Sequence, residues 1–185
     1  MRIKIDVQQS IKSRRLKVIH RGYSYLFHSF IFLLLTTVLI LTGILFPVSL
    51  LVQNKIEDNV AFLIVFSPFI FLGLTSLHSL LFDNYLTRIK GLDQERNREL
   101  MRSILEGRFR VHINPDHTSI LRIHKPPTFW KFGMRVIVIF HDTNIYINIS
   151  RFNYRGLKSI FHLWYDYLKI RSISREFDKQ TWKKI

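Results

Sequence analysis

Cysteine is missing from all 185 residues. Without a thiol there is no disulfide, no thiolate nucleophile and no cysteine-ligated zinc. Acids are scarce: 13 Asp and Glu stand against 28 Lys and Arg, a formal charge of +15. No glycine-rich phosphate loop, G-x-S-x-G elbow or H-E-x-x-H motif occurs, which removes the chemistry those motifs carry. Charge itself is absent from two long runs. Tyr23 to Val52 is thirty residues and Asn59 to Phe82 is twenty-four, and neither holds a Lys, Arg, Asp or Glu.

A hydrocarbon core ~30 Å thick is crossed by roughly 20 apolar helical residues. Both runs are long enough, so the expectation is a two-helix transmembrane hairpin over 23–82, with spans at about 24–50 and 60–82. The first run exceeds the apolar core of a secretory signal and is read as a retained helix. A basic arm, 1–22, precedes it, with seven Lys and Arg against Asp6 alone. The loop from Gln53 to Val60 has Lys55 against Glu57 and Asp58, while twenty Lys and Arg follow Phe82. The positive-inside bias therefore puts both termini in the cytoplasm and the chain in the cytoplasmic (inner) membrane. The arm can also lie on anionic lipid headgroups. Within it, Ile3, Ile5 and Val7 alternate with Lys4 and Asp6, a short strand pattern.

Pro47 and Pro68 interrupt the spans, and Pro47 is expected to end the regular part of the first. Ser49 and Ser67 stand close enough to satisfy the carbonyls the prolines free. His28 and His78 are the polar candidates inside the spans. An antiparallel hairpin puts both near the cytoplasmic side, able to face each other. An ionisable residue in a membrane raises an ion or proton path, but at this shallow depth structural histidines bonded to Ser or Thr are the favoured reading. A pore requires an oligomer, because two helices enclose nothing.

Residues 83–170 are expected to form a small cytoplasmic α+β domain with an antiparallel sheet of four or more strands, followed by a basic, ragged tail, 171–185. A helix is read over 84–106, with Gly91 breaking it from the span and Gly107 stopping it. A first hairpin pairs Phe109, Val111 and Ile113 with Leu121 and Ile123 around Asn114-Pro115-Asp116-His117. A second opposes Val136, Val138 and Phe140 to Ile149, Ile147 and Ile145. Ile137 and Ile139 make the far face apolar too, which marks a central strand. After Asn153 a closing helix carries Leu157, Ile160, Phe161, Trp164 and Leu168 on its apolar face.

Two spans, the Trp130 segment, a strand 144–149 ending near Arg151-Phe152, and a helix from about Arg155 together resemble small bacterial two-span membrane proteins with a PH-like (YcxB-like) cytoplasmic domain. The likeness is one of order and spacing over roughly residues 23–170. It implies a PH-like fold and transfers no catalytic or ligand residue.

Three groups of residues invite a chemical reading. In the first-hairpin register His112 and His124 share a face but stand about 13 Å apart along the ladder, too far for one ion. Arg155 and His162 match the R-x(4–6)-H spacing of HEPN ribonucleases, in which such a pair polarises a phosphate and moves a proton. Arg110/His117 and Arg135/His141 match equally well, so chance is the favoured explanation. Phe129, Trp130, Lys131 and Arg135 form an aromatic-basic cluster suited to core packing first, membrane contact second and nucleic acid third. The leading expectation is a non-enzymatic membrane protein whose cytoplasmic domain binds or regulates an unknown protein partner at the inner face, without cofactor or metal. The alternatives are an oligomeric pore-forming or accessory protein of an antiphage (CRISPR-associated) system, and an RNase using Arg155 and His162.

Overall fold

The computed structural model describes residues 4–19, 23–52, 59–82, 84–113, 119–153, 159 and 162–182. Their order is β1 (Ile5–Asp6), α1 (Val7–Ser13), β2 (Lys17–Val18), α2 (Tyr23–Val52), α3 (Asn59–Phe82), β3 (Thr87–Lys90), α4 (Gln94–Phe109), β4 (Ile120–Lys125), β5 (Gly133–His141), β6 (Asn144–Phe152) and α5 (Leu163–Trp182). The chain divides into a helical unit, His20–Asp83, and a mixed unit of Met1–Ile19 with Asn84–Ile185.

In the helical unit α2 and α3 pack antiparallel. Gly43 lies against Ile70 and Gly73 against Ile40, and a Cβ on Gly43 would come within 2.6 Å of the Ile70 side chain. The two glycines let the backbones approach, as small residues do between apolar helices. Thr36, Ser76 and Ser79 are buried, and the Phe46 and Phe66 rings meet at 5.1 Å. Most of the remaining described side chains are apolar and exposed, including Phe30, Leu45, Ile64 and Phe71. Among the described residues one helix stretch, Phe30–Ser49, is long and apolar enough to cross a membrane, and Ile64–Ser79 is a shorter apolar stretch.

Pro47 does not end the first helix, which continues to Val52. Pro68 removes the amide that would bond to the Ile64 carbonyl four residues back, and Ser67 Oγ donates to that oxygen at 3.2 Å. Ser49 does not serve its proline in the same way: it donates to the Phe46 carbonyl at 2.8 Å, whereas Pro47 leaves that of Gly43.

The mixed unit is built on a four-stranded antiparallel sheet in the order β3-β6-β5-β4. Its centre is the hairpin of β5 and β6. Val136 opposes Ile149, Val138 opposes Ile147 and Phe140 opposes Ile145, the register expected from the alternation. Asp142 turns the corner at a φ of 51°. One face packs on α4 and α5 through Leu100, Met101, Ile104, Leu105, Ile170, Ile173 and Phe177. Ile137, Ile139 and Tyr146 on the other face pack with Ile5, Leu16 and Leu86. The 1–22 arm is therefore more than a charged leader. Its described part, 4–19, closes the second face of the sheet, with Leu16 N–H donating to the Asn84 carbonyl at 2.7 Å and Leu86 N–H to that of Arg14 at 2.9 Å.

Several expectations change. Residues 84–106 are not one helix: Thr87–Lys90 forms edge strand β3 beside β6, Gly91 turns the chain with its N–H on the Thr143 carbonyl, and α4 starts only after Asp93. The side chain of buried Asn97 brackets Leu92, accepting from its N–H at 2.7 Å and donating to its carbonyl at 3.1 Å, and no Cβ fits between Gly91 and that amide. Gly107 does not stop α4, which runs to Phe109 and ends at left-handed Arg110.

The first hairpin does not form. Phe109 is helical, 111–113 is irregular, and β4 pairs with β5, placing Leu121 against Val138 and His124 against Arg135. Phe109 is buried by the helix rather than by a strand, because its apolar period joins Met101 and Leu105 as readily as Val111. The turn 114–117, with His117, lies outside the described residues. Nor is the tail from Arg171 ragged: α5 continues to Trp182, with Ile173 and Phe177 fully buried. Trp164 and Leu168 consequently face outward, off the stripe of 166, 170, 173 and 177.

Asn148 belongs to the face covered by 4–19 and is buried, its amide donating to the Tyr85 carbonyl at 2.9 Å. Val138→Asp should cost several (~3 or more) kcal/mol by burying an unpaired carboxylate. Asn148→Asp should cost about 1–3 kcal/mol by turning that donor into an acceptor. Limited proteolysis of the full-length protein should show rapid loss of the 84–182 fragment for the first and accelerated loss for the second. Wild-type resistance in both would refute the two-faced core.

Candidate functional site

The connection from β4 to β5, 126–132, projects from one end of the sheet. Thr128 N–H donates to the Lys131 carbonyl at 2.9 Å, and Lys131 N–H to Thr128 Oγ1 at 3.1 Å. This tight turn puts Phe129 and Trp130 at its tip, packed edge to face with ring centroids 4.9 Å apart. The pair is not core: Phe129 is 72 % exposed and Trp130 87 %. Core packing, the first expectation for this cluster, is thus overturned. The loop leaves the sheet between Lys125 and Gly133, and the strand pattern has no inward position for a tip residue. Gly133 is required where the loop rejoins, since a Cβ there would come within 2.8 Å of Phe152 and Pro127.

Behind the tip, aromatic rings and cations alternate. Phe152 has the His124 ring stacked at 5.4 Å and the Arg135 guanidinium at 5.1 Å. Phe132 lies 4.9 Å from the His162 ring, linking the loop to the approach to α5. Arg151, in β6, bonds Asp166 Oδ1 at 2.9 Å and lies 5.0 Å from the Tyr165 ring. Lys169 Nζ sits 4.5 Å from the Phe109 ring centroid. Lys125 Nζ donates to the Phe109 carbonyl at 2.7 Å. Lys131 is exposed and Arg135 half-buried.

Asp166 is buried on the α5 stripe, and burial raises its carboxyl above the usual carboxylate range, against the opposing pull of the Arg151 hydrogen bond and charge. His162 is lowered, first by partial burial and then by the Arg151 charge, with Asp166 acting the other way. Lys169 is also lowered, by burial and by Arg151. His162 Nδ1 and Ser159 Oγ share a hydrogen bond of 2.6 Å, while Ser159 N–H donates to the Arg151 carbonyl at 3.0 Å. Ser, His and Asp are thus near one another, yet the described bond of Asp166 goes to Arg151. The trio stitches the entry of α5 to the end of β6.

No family model, curated protein or solved structure matches the chain. The site therefore rests on its own geometry. Arg155, the proposed partner of His162, lies outside the described residues, as does the side chain of His28. His78 is exposed, 4.6 Å from the Phe82 ring. His112 and His124 do not share a hairpin: His112 lies beside Glu106 at 3.4 Å and His124 is in β4. Among the described residues no three His, Asp or Glu come together as a metal site.

Sequence reasoning missed Trp164, Tyr165 and Arg151 as members of this surface. One signal was available: 166, 170, 173 and 177 form a helical stripe, and Trp164 and Leu168 lie off it. An Asp at its first position marks a buried carboxylate in need of a cation.

Two predictions follow from the geometry of this end. Arg151→Met should destabilise the unit by about 3 kcal/mol, because it strands a buried carboxylate. Combining it with Asp166→Leu should recover most of that loss in urea denaturation; equal instability of the double variant would deny the pairing. The second concerns pH. Since the His162 pKa falls below 6.5 on folding, the unfolded chain takes up its proton first, and stability declines as pH drops through 6.5. His162→Gln should flatten that part of the pH–stability curve, and an unchanged slope would contradict the stated shift. Asp166, raised on folding, contributes in the opposite sense, between its folded value and 3.8.

Proposed function

We propose that the chain is an integral membrane protein, held by both α2 and α3 as a two-span hairpin, with its termini in the cytoplasm. Its mixed unit binds or regulates a partner at the inner face of the membrane and catalyses no reaction of its own. One observation carries the reading. The paired helices turn Phe30, Leu34, Leu45, Ile64 and Phe71 outward, each at least half exposed. In water such a continuous apolar surface is unfavourable by ~25 cal/mol per Å² and exceeds what soluble monomers expose. Lipid removes that cost.

The full α3, Asn59–Phe82, has 24 residues, about 36 Å of helix, which matches a hydrocarbon core of ~30 Å. Charge supports the orientation: the arm and everything after Phe82 hold 27 of the 28 Lys and Arg. The binding role is supported by the exposed aromatic-basic end of the mixed unit, which has no task in its core.

An enzyme reporter active only outside the cytoplasm should be silent when fused after Ile185 and active when inserted at Asn54. The reverse pattern, or release of the protein by alkaline carbonate, would refute the reading. Purified protein should leave RNA intact. Cleavage lost in a folded His162→Ala variant would replace the non-enzymatic role with a nuclease.

A further inference from the structure

We propose that the aromatic-basic end of the sheet, formed by loop 126–132 and the first turns of α5, rests on the headgroup layer of an anionic bilayer. This deepens the membrane reading above and depends on it.

The first ground is the kind of side chain presented. Phe129, Trp130, Trp164 and Tyr165 are all more than half exposed. Trp and Tyr rings, apolar with one polar edge, favour the boundary between hydrocarbon and water.

The second ground is charge. From His124 to Arg135 the chain holds Lys125, Lys131 and Arg135 and no acid. Arg151 and Lys169 stand just behind, and Asp166 is buried on Arg151. Basic side chains close to an anionic leaflet are attracted to its surface charge.

The third ground is the path of the chain. β3 runs antiparallel to β6 with Thr87 opposite Ile147, and Asn148 bonds the Tyr85 carbonyl. Asn84 therefore lies toward the Phe152 end of β6, the same end at which Gly133 begins β5 and the aromatic loop closes. Leu16 is bonded to Asn84, and β2 runs on from there in the same direction. Both points at which the chain leaves this unit for the apolar helices are thus at the aromatic end.

A single-stranded nucleic acid also favours rings and cations, but it stacks successive bases on parallel faces. Phe129 and Trp130 meet at 83° on a protruding tip, which presents no such platform.

The chain has three Trp: Trp130, Trp164 and Trp182, the last eighteen residues beyond Trp164 on α5, about 27 Å along the axis. Single-Trp variants, with Phe at the other two positions, would be reconstituted as full-length protein into phosphatidylcholine vesicles with and without phosphatidylglycerol. Trp130 and Trp164 should be quenched by lipids brominated high on the acyl chain and several-fold less by aqueous acrylamide than Trp182. Lys131→Glu should reduce the effect of phosphatidylglycerol at Trp130. Vesicle-bound protein whose Trp130 and Trp164 are as open to acrylamide as Trp182 would overturn this proposal alone. Failure to float with vesicles would overturn the membrane reading as well. Quenching of Trp130 by a single-stranded oligonucleotide, with no response to brominated lipid, would overturn it in favour of nucleic acid.

Discussion

The mixed unit depends on the register of β5 against β6. Both faces of this hairpin are apolar, so both must be covered, and a slip of one residue would exchange the two sets of side chains. The face of Val136, Val138 and Phe140 needs two helices, and α4 and α5 supply them. The face of Ile137, Ile139 and Tyr146 is covered by the segment before the first long helix. Residues on either side of the helical unit thus share one core, so the unit cannot be completed by the C-terminal part alone.

That arrangement explains the composition of the first nineteen residues. Ile5 and Leu16 are buried, while Lys4, Lys12, Arg14, Arg15 and Lys17 remain exposed. One short segment can therefore close a core and still present positive charge. Asp6 caps α1 by accepting from Gln9 N–H, and left-handed Arg14 ends it. Both devices are local, and both turn the chain so that Leu16 reaches Asn84.

At the opposite extreme of polarity, the helical unit uses small residues where its helices meet and large apolar ones outside. In the mixed unit the large apolar residues go inward, and the exposed aromatics gather at one end. Among the cations there, Arg135 lies against the Phe152 ring, Lys169 against that of Phe109, and Arg151 against Tyr165 and Asp166.

The amino-acid sequence alone determined the elements whose signal is local and strong. The two charge-free runs became helices over their whole lengths, 23–52 and 59–82, the first passing through Pro47 and beyond its expected end at about 50. The alternation from Met134 to Ile149 specified one hairpin register, because only that register keeps each face uniformly apolar. Tertiary structure decided what a short pattern leaves open. Thr87–Lys90 carries only four residues of strand, too few to outweigh a helical reading until β6 offers its edge. Phe109 suits a strand and a helix equally until Met101 and Leu105 claim it. The Phe129-Trp130 pair reads as core in composition, and only the closing of β4 onto β5 leaves it at a loop tip in solvent. The use of residues 4–19 as a lid was equally invisible, since sixty-four residues of helical unit separate them from the face they cover, and periodicity carries no information about so distant a contact.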